Sequence, residues 1–182
     1  MELTDVEHFL ISHWHFDHMY GLLELDAWAE QRDIKIYCSQ KTKEWLDKNF
    51  SHIKKEVIVL KPYETFELFG IKITTLPVYH MYYSDNNLKE EELNNTFGFL
   101  LEYNNKKVVY LPDYYKIPQK TIDLAKGSDV IFMDGTYLFE ELIDNTVILK
   151  RCDLEDKDHY HGKQILKIAA LLDAEKTVYF IV

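Results

Sequence analysis

The sequence predicts a mixed α/β (α+β) domain, and three observations carry that expectation. Strand-like and helix-like segments alternate with short links as far as Phe50. Period-two strands then dominate as far as Leu111, after which helix and strand alternate again. Hydrophobic residues make up 47% and aromatic residues 14% of the 182 residues, enough to fill one sizeable core. A single domain over 1–182 is expected, without internal repeat or linker.

Residues 6–12 are an apolar strand that runs into a polar turn. A helix over about 19–30 follows, with Leu22, Leu23, Leu25, Trp28 and Ala29 supplying its apolar face. Ile34–Cys38 reads as a strand, Ser39 as an N-cap, and Lys41–Phe50 as a charged helix with Trp45 and Leu46 turned inward. The strands Glu56–Leu60, Thr65–Phe69, Ile71–Tyr79, Thr96–Tyr103 and Lys106–Leu111 come next, the last two joined by Asn104-Asn105, a turn pair tolerant of positive φ. Pro118 is expected at the first position of a short helix that Gly127 ends. Asp129–Asp134 is a strand, His161–Leu172 the last helix and Thr177–Val182 the last strand. The polar stretch Ser84–Asn95 is the one long loop among the strands, and it reads as a surface excursion close to His80.

The segment His13-Trp14-His15-Phe16-Asp17-His18 places four metal-type ligands directly after the first strand. Side chains alternate along an extended segment, so His13 and His15 can point the same way while a turn brings Asp17 and His18 to a neighbouring point. Two adjacent cations become feasible. Imidazole and carboxylate ligands suit zinc, iron or manganese, and a site without thiolates leaves coordination positions open.

In Ser12-His13-Trp14-His15-Phe16-Asp17-His18-Met19-Tyr20-Gly21-Leu22 the chain resembles the metallo-β-lactamase fold hydrolases, whose signature is His-x-His-x-Asp-His. The same order continues with a histidine after a strand in Leu76–His80 and an aspartate after a strand in Val108–Asp113. The passage from Asn95–Tyr103 to Val130–Asp134 is similar to the PhnP phosphodiesterases and, more distantly, to tRNase Z. The resemblance covers nearly the whole chain. It implies an αββα four-layer sandwich in which His13, His15 and His80 hold one divalent metal, Asp17 and His18 help hold a second, and Asp113 bridges both. A hydroxide would sit between the metals, with Asp17 accepting a hydrogen bond from it as a catalytic residue. His159 or His161, ahead of the last helix, would supply a proton donor or phosphate contact, and Asp134 would orient a ligand histidine. His8 and His52 are assigned no role.

The resemblance also implies more than the chain contains. The family has further strands ahead of its first histidine motif and a ligand histidine after its last strand, whereas His13 has twelve residues before it and Val182 is last. The expectation is therefore a domain incomplete at both ends, with exposed sheet edges that invite a second copy or a complementing segment.

The formal net charge of −10 and the presence of only two arginines, Arg32 and Arg151, argue against a polyanion-binding surface. Nucleic acid is thus the weaker substrate class, and a small phosphorylated molecule the stronger. Cys38 and Cys152 lack metal or redox spacing and suit a reducing compartment. No run of roughly 18 apolar residues would span a membrane, and no signal-peptide pattern opens the chain, so a cytoplasmic protein is expected. The expected activity is metal-dependent phosphodiester hydrolysis. The alternatives are thioester or lactone hydrolysis on the same fold and a non-catalytic metal-binding fragment or assembly subunit.

Overall fold

The computed structural model describes residues 6–19, 21–24, 34–51, 55–80, 93–135 and 162–180. Two sheets face each other across an apolar layer. The first holds β1 (His8–Leu10), β2 (Ile34–Cys38) and β3 (Lys55–Val59), all parallel and in that order. The second holds β4 (Thr65–Leu68), β5 (Ile71–Val78), β6 (Thr96–Tyr103), β7 (Lys106–Leu111), β8 (Val130–Asp134) and β9 (Lys176–Phe180), antiparallel as far as β7 and parallel from there on.

Alternation of side chains along the strands assigns each sheet two apolar faces. Tyr37, Leu60, Ile73, Phe97 and Phe99 form the layer between the sheets. On the outer side of the first sheet, Ile34, Ile36 and Cys38 pack against α1 (Phe16–Met19), α2 (Gly21–Glu24) and α3 (Gln40–Asn49) through Met19, Leu22, Leu46 and Phe50. On the outer side of the second sheet, Leu76, Val109, Leu111, Ile131 and Met133 pack against α4 (Gln119–Ala125) and α5 (Gly162–Leu172) through Ile122, Ala125, Ile165 and Leu172. Helix, sheet, sheet and helix make the four layers. Each fully buried aliphatic side chain contributes roughly 1.5–3 kcal/mol of transfer free energy, so the three layers together make the sandwich cohere.

Local chemistry sets the joints. Ser39 caps α3, its Oγ accepting from the Thr42 amide at 3.2 Å. Asn104 and Asn105 have φ of 47° and 61° and close the β6–β7 hairpin.

Several boundaries differ from the sequence-based expectation. The first strand is short, although the bonds from Lys35 N to Glu7 O and from Ile11 N to Tyr37 O continue its alignment with β2. The helix expected at 19–30 begins earlier, at Phe16, and the continuation through Leu25, Trp28 and Ala29 lies outside the described residues. Phe69 leaves the strand at φ 53° and forms a turn with Gly70 at φ 77°, because the two strands need a left-handed pair to reverse. Pro118 is the N-cap rather than the first helical residue, with extended backbone at ψ 146°. The last helix covers Gly162–Leu172 among the described residues, His161 lying outside them, and β9 begins one residue earlier than expected.

Gly98 lies on β6 opposite Leu76 of β5, at a close approach to β7. A Cβ there would overlap the Tyr110 carbonyl oxygen and come within 3.0 Å of Leu111 Cδ2. The glycine thus lets β7 lie close to β6 just before the chain reaches Asp113. Gly98→Ala is expected to destabilise the fold by about 1–3 kcal/mol through overpacking, read as a lowered urea midpoint. An unchanged midpoint would show that β7 relaxes away freely.

Candidate metal centre

The site lies where β1, β5 and β7 end, so each strand delivers one part of it. Past β1 the chain is held by the bond from Phe97 N to Ser12 O at 3.0 Å, which ties the first sheet to the second. His13 follows at once, 1% exposed, and His15 is two residues on. Past β5 the Tyr79 amide donates to Lys116 O at 2.9 Å, fixing the approach to His80, which is 2% exposed. Past β7, Pro112 leads to Asp113, also 2% exposed.

Three imidazoles aim at one carboxylate oxygen. Asp113 Oδ2 lies 3.1 Å from His18 Nε2, 3.5 Å from His80 Nε2 and 3.8 Å from His13 Nε2. His80 Nε2 also meets His15 Nδ1 at 2.9 Å. Ligand atoms from His13, His15, His80 and Asp113 all lie within 4.8 Å of one another, and a second such group joins Asp17, His18 and Asp113. Asp113 belongs to both. The two groups differ in exposure: the first is largely enclosed, whereas the Asp17 side chain is 55% exposed and stands 3.5 Å from His18 Nε2.

Behind these atoms lies a hydroxyl. Ser12 Oγ is 3.1 Å from His13 Nδ1 and 3.4 Å from His18 Nδ1, on the far side of both rings from Asp113. Trp14 packs edge-on against His15, with ring centroids 4.9 Å apart. Neither Ser12 nor Trp14 was given a role on sequence grounds. The available signal for Ser12 was a hydroxyl residue placed directly before the first histidine at a strand end.

The donor set fits a divalent cation. Atoms held at about 2.0–2.1 Å around a tetrahedral ion sit roughly 3.4 Å apart, comparable to the spacings found here. No thiolate competes among the described residues, because burial pushes the Cys38 thiol up to about 12 and its side chain lies in the apolar layer under α3. Tyr110 is likewise held as a neutral phenol, its pKa raised to about 12 chiefly by burial and then by the charges of Asp113 and Asp134. Asp134 is 1% exposed at the end of β8, within electrostatic reach of the same phenol. His8 is structural, with Nδ1 at 3.1 Å from the Tyr37 hydroxyl and its ring against Phe69. His52, His159 and His161 lie outside the described residues.

Comparison with known proteins gives a consistent family and fold. The family model described as a beta-lactamase superfamily domain matches residues 1–180. A diphosphatase of the PhnP family is 21% identical with a TM-score of 0.69, over 94% of this chain and 60% of that one. Zinc-bound PqqB from Methylobacterium extorquens is 19% identical with a TM-score of 0.70, over 94% of this chain and 62% of that one. The short form of human tRNase Z is 15% identical with a TM-score of 0.65, over 97% of this chain and 75% of that one. The chain thus spans about 60% of the length of the first two structures. No curated protein matches it.

In a Cys152→Ser background, Cys38 is expected to react with a thiol reagent at pH 8 at least ~10²-fold more slowly in the folded protein than in denaturant. The folded pKa is raised above its ordinary 9.0, so this contribution to stability is present below pH 9 and is lost as pH rises towards about 12. Equal rates in the two states would place the thiol at the surface.

Proposed function

This chain belongs to the beta-lactamase superfamily, whose members are largely metal-dependent hydrolases, and we propose that it is a phosphodiesterase acting on a small phosphorylated substrate. The observation that carries the reading is the single buried carboxylate Asp113 shared by two ligand groups. A shared carboxylate suits a pair of hard cations, and zinc or manganese fits the donor set, with iron also compatible. Divalent cations held there supply Lewis acidity towards a phosphoryl oxygen and lower the pKa of a water.

The residues divide the remaining work. His13, His15 and His80 would hold the first cation, His18 and Asp17 the second, and Asp113 both. Asp17, exposed at the mouth, would accept a hydrogen bond from the attacking water. His159 or His161 would supply the proton donor to the leaving group. In the sequence this pair directly precedes α5, which supports the reading. Asp134 would orient a ligand histidine from beneath.

The shared fold with a PhnP-family diphosphatase and tRNase Z supports phosphoester over β-lactam chemistry. The net charge of −10 favours a small substrate over a nucleic-acid backbone. One catalytic domain over 1–182, in the reducing cytoplasm, completes the reading. No helix of the described residues is long and apolar enough to cross a membrane.

A nitrophenyl phosphodiester and an acyl thioester, each assayed with added zinc or manganese, test the proposal. Phosphodiester turnover that is lost on chelation supports it. Thioester turnover alone, or metal binding without turnover of either, would overturn it.

After dialysis, elemental analysis should find nearer one metal than two per chain, because the four-ligand group is more enclosed than the group containing exposed Asp17. Two metals held equally tightly would contradict the ranking. Asp113→Asn removes a charge and a shared oxygen at nearly constant size. It should release the more weakly held metal and cut phosphodiester turnover by at least ~10²-fold, about 2.7 kcal/mol of transition-state stabilisation. Retention of both metals with near-normal turnover would mean that Asp113 is a turn residue.

A further inference from the structure

We infer that Ser12 is the positioning residue that sets the tautomer of two metal-ligand histidines at once. The inference rests on the reading of His13 and His18 as ligands. These histidines belong to different groups, one to the enclosed four-ligand set and one to the set containing Asp17. Yet a single oxygen, Ser12 Oγ, stands at 3.1 Å from His13 Nδ1 and 3.4 Å from His18 Nδ1.

A neutral imidazole carries one proton on one of its two nitrogens, and only the other nitrogen can bind a metal. For both rings to present Nε2, both must carry the proton on Nδ1. A serine hydroxyl has two lone pairs, so one oxygen can accept from two N–H groups. With cations held beside Asp113, Ser12 would therefore accept from both Nδ1–H groups and leave both Nε2 lone pairs to the metals; without them, Asp113 Oδ2, 3.1 Å from His18 Nε2, accepts from an Nε2–H instead. The opposite tautomer on either ring would place an N–H on the metal side and remove that ring from its ligand set.

The oxygen is held in place to do this. Ser12 is 5% exposed, its carbonyl accepts from Phe97 N at 3.0 Å, and the preceding Ile11 amide donates to Tyr37 O at 2.9 Å. Both sheets thus fix the backbone of Ser12, and a short side chain leaves Oγ little freedom. The two rings are close neighbours, with centroids 4.1 Å apart, so one hydroxyl between them suffices. A group that hydrogen-bonds the outer nitrogen of a ligand histidine usually serves one ring; here the same oxygen reaches both, which couples the two sets.

The test uses zinc-loaded protein with ¹⁵N-labelled histidine at about pH 8.5, above the ordinary imidazole range, so that the protonated nitrogen of each ligand ring is read from its shift. Wild type should show His13 and His18 as Nδ1–H tautomers. Ser12→Ala should speed solvent exchange of both Nδ1 protons and weaken cobalt binding by roughly 10–100-fold, while Ser12→Thr keeps the hydroxyl and restores both readouts. An Nε2–H tautomer at either ring in wild type would overturn the inference. So would unchanged proton exchange and cobalt affinity in Ser12→Ala. Should Ser12→Ala fail to fold, the wild-type and Ser12→Thr spectra still decide the matter. A wild type that binds neither zinc nor cobalt would sink the metal-site reading itself, whereas an Nε2–H ring in the loaded protein would sink only the role of Ser12.

Discussion

A carboxylate that is 2% exposed has to be compensated where it lies, and the arrangement around Asp113 follows from that constraint. An isolated buried charge costs several kcal/mol, a penalty that neighbouring donors or a cation must offset. Here three imidazole nitrogens stand 3.1 to 3.8 Å from one oxygen, each delivered by a different turn of the His13–His18 segment or by the end of β5. The apolar layer between the sheets brings these chain ends near each other but does not register them. Polar bonds do that: Phe97 N to Ser12 O at 3.0 Å and Ser39 Oγ to Asn95 O at 3.0 Å fasten the first sheet to the entrance of β6. Packing supplies cohesion, and these few directional bonds supply alignment.

The same carboxylate creates an asymmetry. Its neighbours on one side, His13 and His80, are almost fully buried. On the other side stands Asp17, half in solvent on a helix of one turn. Solvent therefore reaches the cluster more readily on that side. Such a gradient suits hydrolysis, since one half of the centre holds its geometry while the other admits substrate and water.

Much of this was legible in the sequence because the responsible interactions are local. Ser39 caps a helix three residues from Thr42, and Asn104-Asn105 closes a hairpin with its own φ angles, so neither needs distant context. The His13–His18 cluster was legible for the same reason. His80 and Asp113 were reachable only through the order of motifs, because the contacts that make them part of the site span 65 and 95 residues. Phe69 misled because a bulky aromatic favours a strand, yet the hairpin geometry forced it into the left-handed region, where His8 covers one ring edge. The early start of the first helix had a related cause: Phe16 and Asp17 continue the metal turn, and an aspartate in a first turn is favoured by the helix dipole. Ser12 escaped because a hydroxyl before a histidine has no pattern of its own until both rings are seen around it.

The overall charge bears on the site less than its magnitude suggests. A net −10 would repel a phosphorylated substrate at long range, but at physiological salt the Debye length is about 8 Å, so acidic side chains farther away are largely screened. Within the enclosed cluster screening is weak, and the charges that count are Asp113 and whatever the histidines hold. The two divalent cations proposed above would leave the centre positive at short range even beside Asp113 and Asp17, since ligand imidazoles add no charge of their own. Attraction of an anionic substrate would therefore arise inside the site and not on the surface. With only two arginines in the sequence, the proposed small phosphoester, which needs contacts at the centre alone, would be favoured over a nucleic-acid backbone, which needs many contacts beyond it.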